Sequence, residues 1–95
     1  MNMLNLEFTN QIFKEGKMYV AYSPELDVSS CGQTVDEARA NLKEALLGFL
    51  ESAYERGTLE EILTEAGYLP DKLKASWRSP ELLMLEKSQV TLNYA

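Results

Sequence analysis

The chain has 95 residues, 45% of them hydrophobic and 25% charged, with 9 Lys and Arg against 15 Asp and Glu for a net charge of −6. That is the composition of one globular domain and excludes disorder over most of its length. An acidic chain is poorly suited to sequence-independent nucleic-acid binding, which needs phosphate neutralisation; it suits solubility or a basic partner.

Two further counts narrow the chemistry. There is no His, so the commonest general base and metal ligand is missing. Cys31 is the single cysteine, so no internal disulfide forms and a reducing, cytoplasmic compartment is expected. No apolar run approaches the roughly 20 residues that span a bilayer, and no signal peptide is read.

The first third reads as strands. Leu4, Leu6 and Phe8 alternate with polar residues, and Met18, Val20 and Tyr22 alternate on the far side of the turn Lys14-Glu15-Gly16-Lys17. Together they predict a β-hairpin, with Met18, Val20 and Tyr22 facing the core. Pro24 and Glu25 break the run, and Val28–Cys31 is a short third strand that Gly32 ends.

The middle third reads as helices. In T-V-D-E, Thr34 and Glu37 form a capping box. Val35, Ala38, Leu42, Ala45, Leu46, Phe49 and Ala53 recur every three or four residues, one apolar stripe over about six turns. Gly57 stops this helix. T-L-E-E at Thr58–Glu61 is a second capping box, opening a short helix with Leu59, Ile62, Leu63 and Ala66 on its apolar side. Gly48 inside the long helix costs about 1 kcal/mol relative to Ala, which suggests close approach of another group or simple tolerance.

The last third predicts a helical turn over 71–77, then strands over Leu82–Glu86 and Val90–Tyr94. The whole is one domain, 1–95, with a core over 1–67 and a C-terminal extension over 68–95. The order β-β-β-α-α-β-β is α+β, an antiparallel sheet with both helices on one face. The final strand, with Val90, Leu92 and Tyr94 in a row, is neutral and lacks Pro. Such an edge invites pairing with a second copy, and residues 82–94 are expected to build a homodimer interface.

No catalytic, metal or cofactor site is read. Cys31 has no His to deprotonate it, Ser29 and Ser30 lack a base, and no phosphate-cradling glycine loop is present. A two-metal nuclease needs carboxylates converging from strands and a helix. Glu7, Glu37 and Glu44 are available, but Glu7 alternates with the buried set and the third strand offers no acid. The aromatics Tyr19, Tyr22, Phe49, Tyr54, Tyr68, Trp77 and Tyr94 are not interleaved with Lys or Arg, and read as packing rather than a base-stacking platform. One surface pattern remains. Glu37, Asn41, Glu44, Glu51 and Glu55 follow one line of the long helix, an acidic stripe roughly opposite the apolar one. It reads either as a solvated face or as a docking surface for a basic partner.

Three pieces in order carry a family resemblance: Tyr19-Val20-Ala21-Tyr22-Ser23-Pro24-Glu25-Leu26, then Gly32-x-Thr34-x-x-Glu37-Ala38, then Asn41-Leu42-x-Glu44-Ala45. The chain resembles the HicB-like antitoxins over roughly residues 4–56. Where many members continue with Pro-Gly-Cys, this chain has Asp27-Val28-Ser29-Ser30. The resemblance implies a partial RNase H-like fold without that fold's catalytic acids. It implies a cytoplasmic homo-oligomer, dimer or tetramer, that neutralises a small basic HicA-type ribonuclease toxin. Many members add a DNA-binding helix-turn-helix or ribbon-helix-helix segment; residues 68–95 carry strand-like alternation instead, so operator binding is not expected. The alternatives are a metal-dependent RNase-H-like nuclease and a self-associating protein without a toxin partner.

Overall fold

The computed structural model describes residues 4–74 and 76–95. Its elements in chain order are β1 (Asn5–Leu6), β2 (Gln11–Glu15), β3 (Met18–Ser23), β4 (Val28–Gly32), α1 (Val35–Glu55), α2 (Leu59–Glu65), β5 (Leu69–Asp71) and β6 (Ser76–Arg78). The chain is α+β. Strands β2-β3-β4 form one antiparallel sheet, and β1-β6-β5 form a second, in which β1 and β6 run parallel.

The hairpin forms around the expected turn, but its first strand is Gln11–Glu15 rather than the Leu4–Phe8 run, with Glu15 opposite Met18 and Gln11 opposite Tyr22. The earlier segment turns away to pair with β6, Leu6 opposite Trp77. The two-residue period of β3 is as read; the face is the opposite one. Ala21 and Ser23 are buried and Tyr19 packs on the core, while Met18 is exposed. Alternation fixes which residues share a face, not which face meets the helix. Small Ala21 and Ser23 let α1 lie close, where Val20 and Tyr22 would hold it away.

α1 reaches its position through Gly32. A Cβ there would stand 2.6 Å from the backbone N of Ala38 and 2.9 Å from Glu37, so only glycine permits β4 to meet the first turn of α1 this closely. Thr34 Oγ1 then accepts from the Glu37 N–H at 3.0 Å, as its capping role requires. The return bond from the Glu37 side chain is not formed among the described residues, so the box is half made. At Thr58 the second box fails outright. Its side chain gives α2 no cap, and its hydroxyl donates instead to the Ala53 carbonyl at 3.3 Å, closing the end of α1. The α1–α2 junction is too short for Thr58 to serve both helices.

The core joins Ala21 and Leu26 to Ala38, Leu42 and Leu46 of α1, Leu63 of α2, and Tyr68. Phe49 is only half-buried on its rim. Tyr68 is delivered by the end of α2: Gly67 takes φ +93°, its N–H donates to Thr64, and the Tyr68 N–H reaches back to Leu63. Tyr68 is 1% exposed, and its hydroxyl donates to the Glu7 carbonyl at 2.6 Å.

After Tyr68 the structure departs from expectation. Of the helical turn expected over 71–77, the described residues show β5 ending at Asp71, a turn over 72–74 in which the Asp71 carboxylate accepts from the Leu73 N–H at 3.2 Å, and β6 from Ser76; residue 75 lies outside the described residues. The last two strands therefore come earlier than expected. Leu82–Glu86 and Val90–Tyr94 are not strands, since no strand of their own chain stands beside them to complete a ladder.

Two stability measurements follow. Leu42→Ala should cost about 3–5 kcal/mol in urea unfolding, and Phe49→Ala clearly less, because only Leu42 is fully enclosed. Thr34→Ala should cost roughly 1 kcal/mol, with Thr34→Ser recovering most of it.

Candidate protein-docking surface

α1 turns its buried residues to the β2-β3-β4 sheet and leaves the opposite side to solvent. Glu37, Glu44, Glu51 and Glu55 are all exposed on it. Asn41, on the same line, is different: its Nδ2 donates to the Cys31 carbonyl at 2.8 Å, tying the helix to β4. The sequence line therefore splits into four free carboxylates and one anchor. Gly48 lies on the line too, and a Cβ there would meet nothing within 4 Å. The close approach that the sequence suggested at Gly48 occurs at Gly32 instead.

The structure adds two residues to this surface. Leu47 is 58% exposed and Tyr54 72% exposed, seven residues apart on the flank of the acidic line. Tyr54 is thus outside the core, which, of the core and interface packing expected of the aromatics, leaves it the interface. Leu47 and Tyr54 sit one step from Glu44, Glu51 and Glu55 around the helix, so an apolar contact is bordered by carboxylates. The spacing was visible in the sequence; what was missing was how narrow the buried stripe would be. The only ion pair among the described residues joins Arg39 and Asp36 at 2.9 Å, on a different part of α1. The four glutamates keep their charge unneutralised. Glu51 and Glu55, like charges four residues apart, cost a few tenths of a kcal/mol that a basic partner would relieve.

A second cluster of polar groups surrounds the Pro24-Glu25-Leu26 turn. The Glu25 carboxylate accepts from the Thr9 N–H at 3.0 and 3.1 Å, from the Thr9 hydroxyl at 2.6 Å and from the Ser23 hydroxyl at 3.2 Å. Partial burial pushes its pKa up, but the donors from Thr9 and Ser23 outweigh that and hold it below the usual carboxylate range. Thr9 lies between β1 and β2, so Glu25 clasps the point where the chain passes from one sheet to the other. Beside it, Asp27 takes φ +54° and accepts from the Tyr22 hydroxyl at 2.9 Å. The resemblance motif Y-S-P-E-L is accounted for by structure: Leu26 in the core, Glu25 in the clasp.

The carboxylates considered for catalysis do not converge. Glu7 is exposed, and its backbone carbonyl serves Tyr68. Burial, with Glu25 and Glu7 nearby, pushes the Tyr68 phenol up to about 12, so it stays a neutral donor. Among the described residues, no three Asp, Glu or Cys side chains stand close enough to hold a metal ion. An open groove of about 480 Å³ between α1 and Phe8–Asn10 has Asp36, Arg39 and Lys43 on its wall, and the first two pair with each other.

The clasp makes stability depend on pH with a definite sign. A carboxylate whose folded pKa is depressed stabilises the fold above its unfolded value, near 4.3, and loses that contribution as pH falls through the folded pKa. Urea midpoints should therefore fall on acidification below about pH 4.5. Glu25→Gln should be less stable at pH 7 and show a flatter profile. An identical profile in that variant would mean the clasp is energetically silent.

No helix among the described residues is long and apolar enough to cross a membrane. No protein-family model, no characterised protein and no solved structure matches this chain.

Proposed function

We propose that this chain is a non-catalytic binding protein of the HicB-like antitoxin kind, which acts in the cytoplasm and neutralises a small basic ribonuclease toxin by covering its surface. The observation that carries this reading is the exposed side of α1, where Leu47 and Tyr54 stand beside Glu44, Glu51 and Glu55. An exposed Tyr with an apolar neighbour is the kind of anchor on which binding energy concentrates, and a charged border steers the approach of an oppositely charged partner. The net charge of −6 extends the same field over the whole molecule. The nuclease alternative is less well supported, because the half-buried carboxylate of Glu25 is already occupied by Thr9 and Ser23. The resemblance also carries self-association, which is compatible with a toxin-binding role.

The test uses as binding partner any small basic protein that a search of the neighbouring reading frames or a pull-down with this chain recovers. Glu44→Lys with Glu51→Lys should slow association at low salt by roughly tenfold or more, with the loss shrinking as ionic strength rises. Tyr54→Ala should act mainly on dissociation. Unchanged association and dissociation in both variants would return this side of α1 to a solvated helix face.

A further inference from the structure

α1 carries flanks of opposite charge. Glu37, Glu44, Glu51 and Glu55 follow one line, while its only two cations, Arg39 and Lys43, stand one turn apart on another. Both cations line the groove of about 480 Å³ between α1 and Phe8–Asn10, together with Phe8, Asn10, Asp36 and Ala40. That volume lies within the roughly 300–1,000 Å³ of ligand sites. The fold does not use up the two cations. Arg39 gives only Nη1 to Asp36, and Lys43 has no ionic partner among the described residues. Both walls of the groove are tethered. Thr9, in the middle of the Phe8–Asn10 wall, is held by the Glu25 carboxylate through its N–H and its hydroxyl, and Phe8 packs on the core. The α1 wall is held by the Thr34 cap and by Asn41 on the Cys31 carbonyl. A groove with both walls already in place costs little to organise when a ligand enters.

We propose that this groove binds a peptide segment of another protein that presents one carboxylate beside an apolar side chain. The charge of the lining selects a single negative group: Arg39 and Lys43 against Asp36 leave it one positive charge in excess. A carboxylate between the two cations balances that excess, and the guanidinium offers it a planar fork of donors. A phosphate group at about −2, or a nucleic-acid strand, brings more charge than the lining balances and meets Asp36. The field of a chain at −6 opposes such polyanions further and opposes a single carboxylate least. The apolar neighbour is selected by Phe8 and Ala40, the apolar part of the lining; a phenyl or aliphatic side chain gains contact area on the Phe8 ring. Asn10 adds an amide that can donate to and accept from a peptide backbone. The groove does not rest on the toxin reading. It calls for an acidic group, on the other flank of α1 from Glu44 and Glu51, so either contact can fail without the other.

The test is a titration of the isotope-labelled full chain, read from its backbone amide resonances, with the blocked tripeptide acetyl-Leu-Glu-Phe-amide as probe. Saturable shifts should gather at residues 8–10 and 36–43. The same peptide with Gln in place of Glu should bind at least about fivefold more weakly, because both cations lose their counter-charge. Lys43→Gln should weaken the Glu peptide about threefold, a loss that shrinks at high salt. Lys43 is exposed, so this variant keeps the fold, and unchanged resonances outside the groove verify it. Glu44→Gln, on the other flank, should leave binding within about twofold. Thr9→Ala removes no charge and loosens one wall, so it should weaken both peptides by the same factor. The proposal is overturned if the shifts fail to saturate by about 10 mM, an affinity too weak for a site. Equal binding of the Glu and Gln peptides overturns it as well, as does a Lys43→Gln chain that binds like the unaltered one. Inorganic phosphate reproducing the same shifts at the same strength would also overturn it, by showing a general anion site with no preference for a peptide.

Discussion

The contact between Gly32 and the first turn of α1 sets the rest of the structure. With a backbone N of α1 only 2.6 Å from where a Cβ would stand, β4 and the helix meet at a distance that no side chain allows. The helix axis is then fixed at one end by Gly32 and Thr34 and about two turns later by Asn41 on the Cys31 carbonyl. A long helix held at one end against a three-stranded sheet must bury the residues that point down, Ala38, Leu42 and Leu46. The glutamates, Leu47 and Tyr54 are then left pointing out. The candidate docking surface is thus a by-product of where one glycine lets the helix start.

Local chemistry was legible in the sequence wherever one residue settles a conformation. The cap at Thr34, the stop at Gly57 and the apolar period of α1 follow from side chains within a few residues of each other. What was not legible depended on partners far along the chain. Choosing the buried face of β3 required knowing that α1 would come close enough to favour Ala21 over Val20. Assigning β1 required β6, seventy residues away, and the expected terminal strands had apolar alternation but no neighbour. Alternation is a statement about side chains, whereas a strand is a statement about backbone partners.

The candidate site shows the same division. The acidic line was readable from spacing alone, yet one of its members, Asn41, is bound to β4 and another position, Gly48, has only open space around it. Leu47 and Tyr54 lay outside the apolar stripe read from spacing, and only the structure shows that they stand exposed beside the acidic line. The chain's polar and apolar surfaces are also separated in space. Acid lies on the exposed side of α1, while the sheet face that carries Phe13, Met18 and Cys31 lies on the far side of the sheet.

The parallel pairing of β1 with β6 has a consequence for how the chain is made. β2, β3, β4 and α1 are contiguous, and their contacts are complete once residue 55 has been synthesised. Asn5 and Leu6, although made first, have no ladder until Ser76 and Trp77 arrive, and the Tyr68 hydroxyl must also reach the Glu7 carbonyl. Such long-range closure is slow relative to local pairing. The nascent chain therefore passes through an interval in which a folded hairpin-and-helix unit trails an unpaired apolar leader, and that interval is when it is most exposed to misassembly with a neighbouring chain on the same message.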